Sequence, residues 1–342
     1  MNKTVFVGLS GGVDSSVSAA RLKDQGYNVV GVFMKNWAQD IAGWECPWRD
    51  DYQDAKRVAV QLGIEFHMFD FQKDYREKVV EYMLETYRRG ETPNPDIMCN
   101  QEVKFKLFLD ASMQQGADLI ATGHYARTKD GTLLRAVDDF KDQTYFLYRV
   151  QSAALKKTIF PLGDSLKKDV KAEAAKRKLV TADKKESMGI CFVGKVGIKD
   201  FLKEFVQTQA GPIVDNHGVT VGQHDGAIFY TIGQRSGLGV GGGLPYYVTH
   251  KDMGSNTVYV TTDINDKKLW SKTVTLRSPH WITQEPVQGK LYDVRYRHQG
   301  KLQTATYKGG DLEFEHEVKA LSPGQSAVVY DGNECLGGGI IS

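Results

Sequence analysis

The hydrophobic and polar positions in the first part of the chain follow two alternating periods. Short apolar runs at residues 5–7 and 27–34 predict buried strands, whereas 53–62 and 73–89 carry apolar residues at helical spacing. Further predicted elements are a strand at 64–69, a helix at 102–115 and a strand at 118–122. Because strands alternate with helices and the connections are short, this part is predicted to be an α/β fold with a doubly wound parallel sheet.

The pattern changes near residue 205, where β-branched or aromatic residues begin to alternate with polar ones. In the stretch 290–297, Tyr292, Val294 and Tyr296 share one predicted face of a strand. Similar runs lie at 228–232, 246–249, 257–261, 325–330 and 337–341. Many short strands in succession are typical of a small β-barrel. We therefore predict three domains: an α/β domain at 1–204, a small β-rich central domain at 205–270 and a C-terminal β-barrel at 271–342.

The composition is that of an ordinary globular protein, since 25% of the 342 residues are charged and 41% are hydrophobic. A formal net charge of +2 neither indicates nor excludes a polyanionic partner. No apolar run approaches the roughly 18 residues of a membrane span. The chain also enters its first strand without the apolar core of a signal peptide. The sequence therefore predicts a cytoplasmic protein without membrane contact, and we expect a monomer.

Candidate chemistry begins in the stretch 4–16, where the first strand meets the first helix. Ser10, Gly11 and Gly12 lie at this junction, and the two glycines permit a tight turn and close approach to a ligand. Unpaired N–H groups at the start of a helix favour an anion, and Asp14 could hold Mg²⁺ against a phosphate. The stretch lacks the lysine of the G-x-x-x-x-G-K-[ST] loop. It therefore predicts a nucleotide site of a different kind.

The four cysteines, Cys46, Cys99, Cys191 and Cys335, are too scattered for a disulfide framework or a zinc site. No metal ligands are therefore predicted among them. From the residues alone, a buried and inert thiol remains open for Cys191, whose neighbours are apolar. For Cys46 and Cys335 we expect only such a packing role.

Cys99 lies in the stretch 92–100, which its two prolines are expected to keep extended as a loop between helices. This stretch also carries polar side chains that could bind a polar ring, and on sequence alone a rigid connector is an equal alternative. An ionised carboxylate beside a thiol disfavours the thiolate, so Asp96 is a poor activator of Cys99. Asp96 is better suited to accept a substrate N–H or to move a proton.

Several of these stretches carry a family resemblance. Residues 8–15 resemble the pyrophosphatase loop of ATP-dependent adenylating enzymes. The stretches 92–100, 122–125, 141–143, 188–193 and 229–235 resemble the signature segments of the tRNA-specific 2-thiouridylases. The loop alone is shared by many adenylating enzymes, whereas the ordered set with both cysteines is specific.

The resemblance implies that O2 of the wobble uridine, uridine 34 of the tRNAs for lysine, glutamate and glutamine, is adenylated by ATP with Mg²⁺ and then replaced by sulfur. It implies that Cys191 carries a persulfide and that Cys99 attacks it to form a transient disulfide, the sulfur reaching C2 directly or as released sulfide. The resemblance implies that ATP is bound by Gly8, Leu9, Ser10, Gly11, Gly12, Val13, Asp14, Ser15, Met34 and Gly123. It also implies that Asn94, Pro95 and Asp96 contact the target base. Further implied tRNA contacts are His124, Lys141, Asp142, Gln143, Arg295, Tyr296 and Gln325.

The implied partners are the anticodon arm of the tRNA and a persulfide donor, which is either a cysteine desulfurase or a relay protein. Two other classes of function compete with this interpretation. Another pyrophosphatase-loop enzyme, such as a different tRNA modifier or an amide-forming synthetase, would need neither Cys99 nor Cys191. A non-catalytic RNA-binding module would need no ATP turnover at all.

Overall fold

The computed structural model describes residues 2–41, 43, 45–185, 197–241, 243 and 245–342. The strands, in chain order, are β1 (Thr4–Gly8), β2 (Asn28–Lys35), β3 (Glu65–Asp70), β4 (Leu119–Ala121), β5 (Arg127–Lys129), β6 (Thr132–Leu134), β7 (Thr158–Ile159), β8 (Gly211–Val214), β9 (Thr220–His224), β10 (Tyr247–Asp252), β11 (Thr257–Thr261), β12 (Trp270–Trp281), β13 (Leu291–Arg295), β14 (Gln303–Lys308), β15 (Asp311–Lys319), β16 (Ser326–Asp331) and β17 (Glu334–Ile341). The α-helices are α1 (Val13–Asp24), α2 (Trp48–Leu62), α3 (Gln72–Tyr75), α4 (Glu81–Arg88), α5 (Pro95–Met98), α6 (Phe108–Gln114), α7 (Thr144–Leu147), α8 (Ser152–Leu155), α9 (Lys167–Lys176) and α10 (Ile198–Phe205). Within the described ranges, no helix combines the length and the apolar character that crossing a bilayer requires.

The N-terminal sheet is parallel, with the strand order β3-β2-β1-β4-β7. Val5 and Val7 of β1 pack in one layer with Leu22 of α1 and Val58 of α2. Phe6 packs in the opposite layer, together with residues of α4 and α6. Since successive side chains of a strand point to opposite faces, helices cover both faces of the sheet. The predicted doubly wound α/β architecture is confirmed.

The strand order places a switch point between β1 and β4. The chain leaves β1 toward β2 on one side, and it returns to pair β4 on the other side of β1. Ligands of open α/β sheets bind beyond the carboxyl ends of the strands at such a point. Ser10, Met34 and Gly123 all lie at or just beyond the carboxyl ends of β1, β2 and β4, as predicted.

The prediction of a loop over 92–100 is wrong for its second half. Asn94 caps a helix by accepting a hydrogen bond from the Asp96 N–H at 3.2 Å, and Pro95 is the first helical residue. Proline suits that position because its fixed φ is helical and the missing N–H has no partner there in any case. The helix then continues from α5 through a π-helical segment (Cys99–Leu107) into α6. Cys99 therefore lies on a helix, and not on a loop.

The C-terminal part consists of two β structures. Strands β8 to β11 form a four-stranded sheet in the order β10-β11-β8-β9. Strands β12 to β17 pair in the order β12-β15-β14-β13-β16-β17, and β12 also pairs with β17. This last pairing closes a six-stranded antiparallel barrel around a core that includes Val294, Tyr307 and Phe314. The predicted β-barrel is confirmed.

The strand predicted at 228–232 is wrong. Gly226 has φ +151°, a backbone conformation that glycine adopts readily, and it turns the chain after β9. A short 3-10 turn (Ala227–Phe229) follows instead of an extended strand. Ala227, Ile228 and Tyr230 are all buried, so this stretch is apolar on every side and does not alternate between a core face and a solvent face.

One hairpin of the α/β domain belongs to the sheet of the barrel. Strands β5 and β6 are antiparallel, and Asp130 and Gly131 between them both have positive φ, which suits a two-residue hairpin turn. Strand β6 pairs with β17 through Leu133 and Leu134. The α/β domain and the barrel are therefore joined by backbone pairing as well as by side chains.

Candidate active site

The glycine-containing loop between β1 and α1 is tightly packed. Gly11 has φ +74°, and a Cβ at this position would collide with the carbonyl oxygen of Asp51 in α2. The Ser15 hydroxyl lies 3.2 Å from the Ser10 amide nitrogen and 3.2 Å from the Ser10 hydroxyl, which closes the loop. The Ser16 hydroxyl donates to the Gly12 carbonyl at 2.7 Å. This geometry presents the first N–H groups of α1, which have no intrahelical acceptor, at the switch point.

At two glycines, the absence of a side chain lets parts of the predicted nucleotide site approach each other closely. A Cβ on Gly123 would lie 2.9 Å from the Ser15 amide nitrogen, so only glycine leaves the N-terminus of α1 uncovered. A Cβ on Gly8 would lie 2.9 Å from the Met34 methyl group, which places Met34 directly against the end of β1. The structure thus brings Gly8, Met34, Gly123 and the loop together.

Asp14, in the first turn of α1, is held by two partners. The Lys167 ammonium donates to both carboxylate oxygens at 2.7 Å, and the Tyr125 hydroxyl donates to one of them at 3.0 Å. Lys167 is the first residue of α9 and is 8% exposed. A lysine therefore does lie at this loop, although it comes from a helix far along the chain.

Asp96 and Cys99 lie on successive turns of the helix that begins at Pro95. Cys99 is only 1% exposed and packs in the same apolar cluster as Met34, which also lies against the nucleotide loop. Asp96 is partly buried, and this burial raises the pKa of its carboxyl, an effect that the Lys104 ammonium opposes. The carboxyl consequently holds a proton more readily than a surface aspartate does.

His124 links this helix to the end of β4. Its Nδ1 lies 2.7 Å from the Thr122 hydroxyl, and its Nε2 lies 3.5 Å from the Lys104 ammonium. Burial, with the Lys104 charge, holds the pKa of His124 well below its ordinary value. An ammonium only donates, so Nε2 is the acceptor and Nδ1 carries the proton of a neutral ring. Lys104 therefore connects Asp96 electrostatically to the strand end that carries Gly123.

The predicted tRNA-contacting stretch 141–143 lies at the seam between the α/β domain and the barrel. The Asp142 carboxylate is fully buried and accepts hydrogen bonds from Arg295 at 3.0 Å and from the Thr144 hydroxyl at 2.9 and 3.0 Å. Gln143 accepts a hydrogen bond from the Tyr125 N–H at 2.8 Å. Arg295 is 5% exposed, and Tyr296 packs edge-on against Phe314. In this state Asp142 and Arg295 face each other across the seam.

Residues 91–94, the junction segment, contact both other β structures. The Gln325 side chain donates to the Thr92 carbonyl at 2.8 Å. Arg277 of β12 forms a two-pronged ion pair with Glu91 at 2.9 and 2.6 Å. The Thr92 hydroxyl lies 3.1 Å from that of Thr231, which follows β9. The barrel and the central sheet therefore hold the chain just before the helix that carries Asp96 and Cys99.

Of the predicted site residues, Cys191 lies outside the described residues. Two basic side chains were missed as site residues. Lys167 lies in the basic stretch 167–178, which has the pattern of an ordinary solvated face, and Lys104 has no local signal of a site. Within the described ranges, no cluster of three or more histidine, cysteine, aspartate or glutamate side chains could hold a metal ion.

Comparison with known families covers nearly the whole chain. Residues 3–195 match the family model described as a tRNA methyl transferase HUP domain. Residues 199–262 match a tRNA methyl transferase PRC-barrel domain, and 271–341 match an aminomethyltransferase beta-barrel domain.

Curated relatives match over nearly their full length. The tRNA-specific 2-thiouridylase MnmA of Enterococcus faecalis is 45% identical over 355 residues, which cover 98% of this chain and 94% of that protein. The protein of the same name from Bacillus subtilis is 44% identical, again over 98% and 94%. The one from Methylobacillus flagellatus is 45% identical over 100% of this chain and 99% of its own length.

Proposed function

The chain belongs to the family of tRNA-specific 2-thiouridylases, and from that premise we propose that it replaces O2 of the wobble uridine with sulfur in the tRNAs for lysine, glutamate and glutamine. The observation that carries the proposal is the full-length similarity to proteins of that name at 44–45% identity. The nucleotide loop, Cys99 and Cys191 are all present, in the order of the family's signature segments. We assign ATP chemistry to 1–204 and tRNA contacts to 271–342, with 205–270 between them.

The first step activates the uracil oxygen. O2 attacks the α-phosphorus of ATP, the bond from that phosphorus to the bridging oxygen breaks, and pyrophosphate leaves with the electron pair. The N–H groups at the start of α1 bind the phosphates, because the dipole and the unpaired donors both favour negative charge there. A uracil oxygen is a poor leaving group, whereas the adenylated oxygen leaves later as AMP.

Mg²⁺ is the metal that we propose to accompany ATP. Asp14 supplies a carboxylate oxygen of the type that Mg²⁺ prefers, and it lies in the first turn of α1 beside the phosphate-binding amides. A single protein carboxylate fits this ion, which keeps most of its waters and takes its remaining ligands from phosphates. When bound, the ion neutralises phosphate charge.

We assign to Asp96 the transfer of the proton on N3 of the target base. As O2 attacks, the N3–H of uracil becomes acidic, and a carboxylate within reach takes that proton. The same carboxyl returns the proton to N3 when the sulfur is in place. The raised pKa of Asp96 suits this role, because a carboxylate with a raised pKa is a stronger base than that of an ordinary aspartate.

Sulfur transfer follows in two displacements. The terminal sulfur of a Cys191 persulfide attacks C2, and AMP leaves. The Cys99 thiolate then attacks the Cys191 sulfur, so the sulfur–sulfur bond breaks, 2-thiouridine is released and a Cys99–Cys191 disulfide forms. An external thiol reductant reopens the disulfide, and a persulfide donor, either a cysteine desulfurase or a relay protein, reloads Cys191. Burial of Cys99 keeps bulk water from the sulfur.

The remaining predicted residues support tRNA binding in this proposal. Asn94, Pro95 and Asp96 begin the helix beside the target base, and extrusion of a wobble base from a single-stranded loop costs only a few kcal/mol. We assign the further tRNA contacts to His124, the stretch 141–143, Arg295, Tyr296 and Gln325. We further propose that the enzyme works as a monomer in the cytoplasm, where its tRNA substrate is found.

The proposal is tested with the full chain, ATP, Mg²⁺, tRNA for lysine and a labelled persulfide donor. We expect mass spectrometry to find sulfur in place of oxygen at the wobble uridine, with one AMP and one pyrophosphate released per modified tRNA. AMP release without sulfur incorporation would favour another adenylating enzyme. A methyl group gained with S-adenosylmethionine, in line with the family-model descriptions, would also contradict the proposal.

The pH dependence of the adenylation step tests Asp96. Because burial raises the pKa of its carboxyl, we expect the acid limb of kcat/KM for pyrophosphate release to lie above the ordinary 3.8 of aspartate. The rate rises with pH through this limb, as Asp96 ionises. Asp96→Asn should remove the limb and slow the step by about 10²–10⁴-fold. Lys104→Met should move the limb to higher pH, because the opposing ammonium is gone. An unchanged limb in Asp96→Asn would assign it to another group.

A further inference from the structure

We propose that Lys167 binds the β- and γ-phosphates of ATP and stabilises the departing pyrophosphate, and that Asp14 holds this lysine in place before ATP arrives. The inference rests on the proposed function, because it needs ATP at the loop. It also resolves a feature of the sequence: the loop has no lysine of its own, although a leaving group as highly charged as pyrophosphate calls for a cation.

The position of Lys167 is fixed by packing. It is the first residue of α9, its backbone N–H donates to the Asp138 carboxylate at 2.9 Å, and its side chain is 10% exposed. Val13 and Val17 of α1 pack against Val170 of α9 in one apolar cluster. The ammonium is therefore delivered to the N-terminal end of α1 by a rigid pair of helices.

The groups around the Lys167 ammonium fix its position and leave it accessible to an incoming anion. Asp14 accepts from it through both oxygens at 2.7 Å, and the Tyr125 ring lies 5.7 Å from it. Asp14 is 33% exposed, so solvent and incoming groups can reach its carboxylate. Asp14 lies in the first turn of α1, so its contact with Lys167 brings the ammonium to the helix end whose amides have no intrahelical acceptor.

A triphosphate changes the balance of this pair. One carboxylate carries a single charge, whereas the triphosphate brings several and also brings Mg²⁺, for which Asp14 is a suitable ligand. The ammonium would then pair with phosphate oxygens, and the Asp14 carboxylate would be released to hold the ion. Lysine suits this exchange because it is a compact charge on a flexible stem. No proton is transferred by Lys167.

A second ion pair between the same two helices provides a matched control. Arg21 of α1 donates to Glu173 of α9 at 2.6 and 3.0 Å, toward the opposite end of α1. Arg21→Met removes a bridge between α1 and α9, as Lys167→Met does, but it leaves the phosphate end unchanged. A loss of helix packing alone would therefore affect both variants in the same way.

The test measures affinity for ATP and for AMP separately, in Mg²⁺ and in a chelator. Lys167→Met should weaken ATP binding by about 10- to 100-fold and leave AMP binding within about twofold, because AMP lacks the β- and γ-phosphates. Arg21→Met should leave the ratio of ATP to AMP affinity unchanged. Lys167→Arg should recover part of the loss, because its charge can still reach phosphate.

Asp14→Asn keeps the inference testable even if Lys167→Met does not fold. In chelator, Asp14→Asn should bind ATP at least as tightly as the unaltered protein does, because Lys167 no longer has its partner carboxylate. Added Mg²⁺ should increase the ATP affinity of this variant only slightly. An equal loss of ATP and AMP affinity in Lys167→Met would overturn the inference, as would an unchanged ATP affinity. Failure of the unaltered protein to bind ATP or to form 2-thiouridine would instead overturn the proposed function.

Discussion

Replacing Cys99 with serine should lower the rate of 2-thiouridine release by on the order of 1000-fold or more. The rate of pyrophosphate release should remain close to that of the unaltered protein. The hydroxyl of serine is scarcely ionised at neutral pH and cannot displace sulfur from the Cys191 persulfide adduct, whereas a thiolate is a strong nucleophile. The two readouts separate because adenylation involves Asp96 and the loop but not the thiol.

The trapped species reports the route of the sulfur. If the persulfide attacks C2 directly, Cys99→Ser should accumulate tRNA joined to the enzyme through a disulfide, visible after acid quenching by mass spectrometry. If Cys99 first releases sulfide, no such adduct forms. Cys46→Ser is the matched control, since Cys46 is a half-buried thiol whose pKa burial raises, and it should keep activity within about twofold. Full turnover by Cys99→Ser would remove Cys99 from the mechanism.

Removing Arg295 should destabilise the protein more than any surface ion pair does. Its side chain is 6% exposed and faces the fully buried Asp142. Among the residues that the structure describes, Arg295→Met leaves that carboxylate with Arg135, 3.5 Å away, and its neutral donors. The expected loss is about 3–5 kcal/mol of unfolding free energy. Urea denaturation followed by tryptophan fluorescence measures it.

Two further variants show whether the loss of unfolding free energy comes from the buried charge. Lys290→Met breaks an exposed pair with Asp331 on the barrel surface and should cost below about 1 kcal/mol. The double variant Arg295→Met with Asp142→Asn should recover more than half of the loss, because no uncompensated charge remains buried. An unchanged urea midpoint in Arg295→Met would contradict the structural role, and a loss of tRNA affinity beside it would leave Arg295 with the proposed tRNA contact alone.

The sequence predicts local features of this molecule well. The β1–α1 loop is recognisable because an apolar run, two glycines and helical spacing are contiguous in the chain. The barrel is recognisable because alternation along each strand reflects one buried face. Both signals depend only on neighbouring residues, so the fold class follows from periodicity.

The misses have specific physical causes. At 92–100 the two prolines predict an extended loop, although Pro95, preceded by Asn94 as the cap, starts a helix. The partnership of Lys167 with Asp14 spans 153 residues, and nothing in the local pattern of a basic stretch specifies a partner so distant. The π-helical segment that begins at Cys99 contains Lys104, and its hydrogen bonds link residues five apart. Because the same sequence also fits an ordinary helix, the position of Lys104 could not be predicted.

The hairpin β5–β6 also has a consequence for how the chain is made. Leu134 pairs with Glu334, which leaves the ribosome 200 residues later. At about 5–20 residues per second, that interval is roughly 10–40 s. During this time the edge of β6 that pairs with β17 has no partner strand, because β17 has not yet been synthesised. The nascent enzyme therefore completes its first domain only when translation of the last strand has ended.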